Sequence, residues 1–308
     1  MSTPPVLLIV YRRPDVTARV LEAIAAARPA RLFVAADGPA QDRDRAACAE
    51  VRRIVSSSIG WPCDLRTDFS AANLGCQRRV ISALDWFFGA CESGIVLEDD
   101  CLPSPDFFRF CEAMLERYRG DARVVHVSGE TYRRRRGSED SYYFSKYALI
   151  WGWARWRRAW RLYDLQMAAW PRFRRASASL ALYDSRDEAR YWDGTFEQMH
   201  RGGIDTWDYP WMFACMANGL SIHPAVNLVR NIGGAEGATH MTDGNPFSDR
   251  AFGALDGEWH HPAWVVRDRE ADMDTFDDRF VGSILKRQRT LRHQAGRPFR
   301  WLRRQFRP

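Results

Sequence analysis

Five strand-length runs lie at residues 6–10, 32–36, 64–66, 94–97 and 124–127, with helical patterns filling most of the gaps between them. This spacing constrains the fold more than any other feature. Parallel strands cannot be joined by tight hairpins, so they need crossovers, and a helix is the usual one. Pro14 and Asp15 open the first helical stretch, which sets Val16, Val20, Leu21 and Ile24 on one face. Segments around 51–55 and 80–88 read the same way. Ser104 then Pro105 form a helix start, and Phe107, Phe108, Cys111, Leu115 and Tyr118 make the apolar face that follows. A chain of 308 residues, 46% of them hydrophobic, can bury one large domain. The expectation is an α/β protein with a mostly parallel mixed sheet flanked by helices.

Sheets of this kind bind ligands beyond the carboxyl ends of their strands. Two acidic features stand there: Asp37 of Asp37-Gly38, and the triplet Glu98-Asp99-Asp100, which follows directly on an apolar run. Three adjacent carboxylates repel one another, and a hard divalent cation such as Mn2+ or Mg2+ relieves that cost. A solvated acidic turn is the plain alternative, and Asp-Gly is itself a common turn. Asn73-Leu74-Gly75, followed by Arg78 and Arg79, could set N–H groups and guanidiniums near phosphates. A solvated helix start explains those residues about as well.

Beyond residue 130 the pattern changes. A basic loop occupies 133–136. Trp151, Trp153, Trp156 and Trp160 read as one face of a helix, either as core or, at Trp151 and Trp153, as a surface for stacking sugars. Residues 205–219 read as a loop and a helix, with Pro210 in the first turn and Gly219 at the end. A strand follows at 221–226 and a glycine-rich loop at 233–240. The tail from 279 mixes arginine with aromatics and holds no acid, so it reads as a peripheral contact with an anionic membrane or as a solvated tail.

The net charge is +6, yet Lys146 and Lys286 are the only lysines. That skew reads as codon bias, and nucleic-acid binding is not expected. Seven cysteines without a CxxC, no signal-peptide pattern and no apolar run of 18 residues lead to the expectation of a cytoplasmic protein, at most placed at the inner face of the membrane.

The run Gly94-Ile-Val-Leu-Glu-Asp-Asp-Cys-Leu-Pro-Ser-Pro-Asp-Phe-Phe108 resembles the metal-binding segment of N-acetylglucosaminyltransferase I and of bacterial family 2-like glycosyltransferases. The resemblance continues, in order, through residues 6–13, Asp37-Gly38, Trp207-Asp208-Tyr-Pro-Trp211 and the stretches 221–227 and 233–240. It implies a GT-A nucleotide-diphospho-sugar transferase that inverts the anomeric centre. Residues 1–130 would form the nucleotide-sugar-binding half, 131–278 the acceptor and catalytic half of the same domain, and 279–308 a basic tail. Asp100 would hold Mn2+ or Mg2+. Glu98 and Asp99 would bind the ribose and donor sugar, and Asp37 with Arg13, or Arg12 one position earlier, the nucleotide. Asn73 and Arg79, read from the local pattern, and His240 would be further donor contacts. Asp208 would be the catalytic base, with Asp205 in reserve, because this chain has Asp208-Tyr209 where the family has two adjacent acids. The implied partners are a nucleotide-sugar donor, read as a UDP-sugar with UDP-N-acetylglucosamine the family's example, and a glycan or lipid-linked acceptor of a bacterial surface. The rivals are a sugar nucleotidyltransferase, which usually carries a glycine-rich loop where this chain has Tyr11-Arg-Arg-Pro-Asp15, and a non-catalytic scaffold of the same fold.

Overall fold

A computed structural model of the chain describes residues 3–134, 139–176, 178–234, 250–255, 257–280 and 282. The first half runs β1 (Val6–Val10), α1 (Pro14–Ala27), β2 (Arg31–Ala36), α2 (Arg45–Ser57), β3 (Asp64–Phe69), α3 (Cys76–Ala90), β4 (Ser93–Glu98), β5 (Cys101–Pro103), α4 (Pro105–Arg117) and β6 (Val124–Ser128). The second half adds β7 (Tyr142–Ser145), β8 (Trp153–Trp156), α5 (Arg157–Trp160), α6 (Trp170–Arg175), α7 (Arg186–His200), α8 (Asp208–Asn218), β9 (Leu220–Pro224), β10 (Val229–Asn231) and α9 (Arg269–Thr275).

Eight strands form one mixed sheet in the order β3-β2-β1-β4-β8-β6-β9-β7, and β5 pairs with β10 apart from it. β7 and β8 run against the other six strands. The α/β class and mostly parallel sheet expected from the strand spacing are therefore the observed ones. β1 is buried on both faces, which is why it reads as an unbroken Val-Leu-Leu-Ile-Val. Its side chains alternate between two cores. Leu7 and Ile9 join α3, α5, α6, α7 and α8 on one face, while Val6, Leu8 and Val10 join α1, α2 and α4 on the other. Strand β3 reaches Phe69, further than expected, because it pairs with the whole length of β2.

The tryptophan segment is not a helix at first. Residues 153–156 are strand β8, wedged antiparallel between β4 and β6, and only Arg157–Trp160 turn helical. Gly152 enters with φ +64, which a helix cannot use. From there the period is two: Trp153 faces one core, and Ala154 and Trp156 the other. Trp153 is thus core and offers no surface to a sugar. Arg155, the next residue on the Trp153 side, is wholly buried. Its guanidinium carbon lies 3.9 Å from the ring centre of Trp160, 4.1 Å from Trp211, 4.4 Å from Trp153 and 4.9 Å from Phe88. None of its side-chain nitrogens has a hydrogen-bond partner among the described residues, so π faces alone replace water. Burial holds its pKa well below the ordinary arginine value.

Helices α6 and α7 were not anticipated. The signal for α7 was present, since Ser185 caps it by accepting from the Glu188 N–H at 3.1 Å. A buried ionic cluster then ties α7 and α9 to β7. Lys146 Nζ meets Asp184 at 3.0 Å and Glu188 at 2.7 Å, and Arg267 bridges Asp184 and Asp272 at 2.7 and 3.2 Å. Burial alone would raise the Asp184 carboxyl, but Arg267 and Lys146 outweigh it and pull it down to about 2. A depressed folded-state pKa gives stability that is present above the unfolded value of about 4 and lost as pH falls towards 2. Asp184→Asn should therefore lower the urea midpoint at pH 7. The gap from wild type should narrow by about half between pH 5 and pH 3. A gap that stays constant over that range would show that Asp184 does not carry this ionic stability.

Candidate active site

The sheet topology makes the site. From β1 the chain goes outward to β2 and β3, then returns to place β4 on the other side of β1. The ends of β1 and β4 therefore flank a switch point, where the connecting loops part and leave a crevice. Arg13 leaves β1 there, and Glu98-Asp99-Asp100 leave β4 there. Ile9 is paired with Glu98 across the two strands.

Arg13 forks onto both aspartates. It contacts both Asp99 oxygens, with Nε at 3.3 Å from Oδ2, and its Nη2 lies 3.0 Å from Asp100 Oδ2. Burial disfavours its charge, but Asp99 and Asp100 outweigh that and hold its pKa above the usual value. One guanidinium does not balance three carboxylates. Desolvation, then Asp100 and Asp99, push Glu98 up to about 8. Burial pushes Asp99 up to about 6 even though Arg13 opposes it. Arg12, the neighbouring candidate, turns away to pair with Asp44, which also accepts from the Gln41 N–H at 3.1 Å. The Gln41-x-x-Asp44 spacing was the available sign of that turn.

Asp37 ends β2 as expected and organises the neighbouring loop. Its carboxylate accepts from the N–H groups of Gly38, Leu74 and Gly75 and from Asn73 Nδ2, at 2.9 to 3.1 Å. Asn73 also donates to the Gly38 carbonyl at 2.8 Å. Gly75 then caps α3 with φ +77 and ψ 160, a conformation open almost only to glycine. Gly38 is required for a different reason: a Cβ there would lie 2.5 Å and 2.6 Å from the backbone carbon and oxygen of Ala72. Arg79 is buried and pairs with Asp68 at 2.9 Å. Arg13, Asp37, Asn73, Arg79, Glu98 and Asp99 all line one cavity of about 340 Å3, a size suited to a small ligand.

Asp208 opens α8, but it does not cap it, and its carboxylate instead accepts from the Thr206 hydroxyl. Trp211 anchors this helix, donating from its indole N–H to His126 Nδ1 at 3.3 Å. Asp208 lies near enough to the triplet that its charge raises the Glu98 pKa. Cys76 marks the same neighbourhood. It is exposed as a residue, yet packing around its thiol pushes the pKa up to about 12, and Glu98, Asp208, Asp205 and Asp100 act the same way. On the opposite side Gly233 rests on Asp100 and Arg13, and the Ile232 N–H donates to the Asp100 carbonyl at 2.8 Å. The glycines mark this stretch in the sequence, but nothing there marks its partner. His240 and residues 235–249 lie outside the described residues.

Among the described residues no group of three or more His, Cys, Asp or Glu side chains could hold a metal by itself. The donor set nevertheless suits a hard cation that uses one or two carboxylates and takes its other oxygens from a bound phosphate. The surplus negative charge on the triplet is what such a cation relieves. No helix among the described residues is long and apolar enough to cross a membrane.

No protein-family model matches this chain, and no curated protein does. Among solved structures the chain is similar to a mannosyltransferase from Pyrobaculum calidifontis in complex with GDP-Man and Mn2+, at 16% identity and TM-score 0.39, over 52% of this chain and 46% of that one. It is also similar to HddC from Yersinia pseudotuberculosis, at 9% identity and TM-score 0.32, over 50% and 77% of the two chains. A third similarity is to a UDP-glucose pyrophosphorylase complexed with UDP-glucose, at 12% identity and TM-score 0.30, over 53% and 79%. The match thus spans less than half the length of the mannosyltransferase chain.

The Asp37 hub gives a direct test. Gly38→Ala should destabilise the protein by about 1–3 kcal/mol, because the 71–72 backbone must move away. Gly89→Ala, where an added Cβ meets nothing within 4 Å, should not destabilise. Equal denaturant midpoints for both variants would show that Gly38 is not needed for this close approach.

Proposed function

We propose that this protein is a GT-A glycosyltransferase that uses a nucleotide-activated sugar and a divalent cation and inverts the anomeric centre. The observation that carries the reading is the Glu98-Asp99-Asp100 triplet at the switch point. Glu98 and Asp99 line a 340 Å3 cavity, Asp100 follows them in the chain, and Arg13 neutralises the triplet only in part. A diphosphate brings oxygens and a cation to such a place together, so that the acids are balanced when donor binds. Asp100, the most exposed of the two aspartates that Arg13 holds, would be the cation's ligand. When bound, Mn2+ or Mg2+ would stabilise the charge that grows on the departing diphosphate. Glu98 and Asp99 would hold the ribose and sugar, and Arg13, Asp37, Asn73 and Arg79 the nucleotide side of the cavity. The donor is read as a UDP-sugar, with UDP-N-acetylglucosamine the first to try. The acceptor is read as a glycan or lipid-linked precursor of a bacterial surface.

Asp208 is the base in this reading. The acceptor hydroxyl attacks the anomeric carbon, its proton passes to the Asp208 carboxylate, and the bond from that carbon to the diphosphate oxygen breaks. One displacement of this kind inverts configuration. Asp208 is free to act because it does not cap α8, and its bond from Thr206 fixes its orientation. Asp205 remains the alternative.

Adding UDP with Mn2+ at a hundredfold excess over Kd should raise the melting temperature by about 5 °C. UDP or Mn2+ alone should do much less, and Asp100→Ala should abolish the joint effect. A joint shift that persists in Asp100→Ala removes Asp100 as the metal ligand, and no shift in wild type removes the donor reading. Asp208→Asn should keep the joint shift while lowering sugar transfer, measured as UDP release with envelope glycans present, by at least about a hundredfold. Transfer at the wild-type rate would exclude Asp208 as the base.

A further inference from the structure

A second cavity, of about 470 Å3, lies beside the first, and Gly75 lines both. Its walls come from the first turn of α3, the end of α7, the segment at Leu165 and Gln166, and the turn that carries Ile204 and Asp205. The consecutive arginines of α3 are divided between the two cavities. Successive helical residues point about 100° apart. Arg79 therefore lines the first cavity, where Asp68 neutralises it, and Arg78 lines the second. Arg78 is exposed and has no ion pair or hydrogen bond among the described residues. Beside it in the same cavity stands His200, whose Nδ1 is tied to the Gln166 carbonyl at 3.0 Å, which leaves Nε2 for another partner. Leu165 and Ile204 add apolar surface of the kind that packs on sugar C–H groups. Asp205 stands in this wall, three residues before Asp208, and both acids act on Cys76 at the entrance to α3.

We infer that this second cavity seats the acceptor, and that the acceptor is a sugar bearing an anionic group, phosphate or carboxylate, which Arg78 binds with His200 beside it. The inference rests on the transferase reading. An acceptor here reaches the Asp205–Asp208 side of the donor cavity, so its hydroxyl approaches the base from outside the nucleotide chamber. Arg78 supplies the charge because guanidinium pairs with phosphate or carboxylate through two parallel bonds.

Ligand-observed NMR on the full chain, with the donor cavity first saturated by UDP and diamagnetic Mg2+, tests this. The probes are glucuronate, glucose 1-phosphate and neutral glucose. One or both anionic probes should bind more tightly than glucose. Binding of glucuronate alone identifies a uronic acid, and binding of glucose 1-phosphate alone a sugar phosphate. Arg78→Ala should weaken that binding by about tenfold, and Arg78→Lys should restore part of it. Gln166→Glu changes charge at an exposed position without changing size, and should also weaken it. Equal binding to wild type and Arg78→Ala, or no anionic probe binding at all, overturns the inference. The Asp100-dependent UDP–Mn2+ shift is a separate readout. If it holds while the probes fail, the acceptor cavity is wrong and the transferase reading stands. If it fails while Arg78-dependent binding holds, the anion site stands without the transferase reading.

Discussion

The fork of Arg13 on Asp99 and Asp100 is the interaction on which the site depends. Three carboxylates at the end of a central strand repel one another, and the chain supplies one cation from the adjacent strand end to hold two of them. That cation is enough for folding but leaves Glu98 with a strongly raised pKa. The same shortfall leaves negative charge at the crevice uncompensated by Arg13. Gly233 packs on the pair because no side chain would fit there, so the segment after β10 lies directly against the charged centre.

How much was legible in the sequence depended on how local the signal was. The strands of the first half were visible because parallel strands buried on both faces read as continuous apolar runs, and their ends placed Asp37 and the acidic triplet. The donor-side candidates Arg13, Asp37, Asn73, Arg79, Glu98 and Asp99 do come together around one cavity. What the sequence hid was pairing between distant residues. Nothing in Arg12-Arg13 tells which guanidinium turns to Asp44 and which to the triplet. The strand at 153–156 looked helical because tryptophans three and four apart fit a helix face. Its actual state is set by the unpaired edges of β4 and β6, which lie about 30 to 60 residues away in the chain. Helices α6 and α7 were missed because charged residues break up their apolar faces and only the cap at Ser185 marks the start of α7.

The Asp37 carboxylate illustrates a function shared between structure and site. It ties the end of β2 to the turn before α3 and so fixes where the two consecutive arginines of that helix begin. A side chain that lines the first cavity also sets the wall between two chambers. The position of Gly75 in both walls follows from that tie.

The caged Arg155 has a consequence for how this chain can change over generations. Phe88 of α3, Trp153 of β8, Trp160 of α5 and Trp211 of α8 all turn ring faces to one charge that has no hydrogen-bond partner among the described residues. Losing any single ring strands a cation in oil, while exchanging one aromatic for another does not. A substitution at any of these four positions is therefore constrained by the other three and by the arginine. Because Trp211 lies one turn beyond Asp208, a change in that cage is felt first along the helix that Asp208 opens.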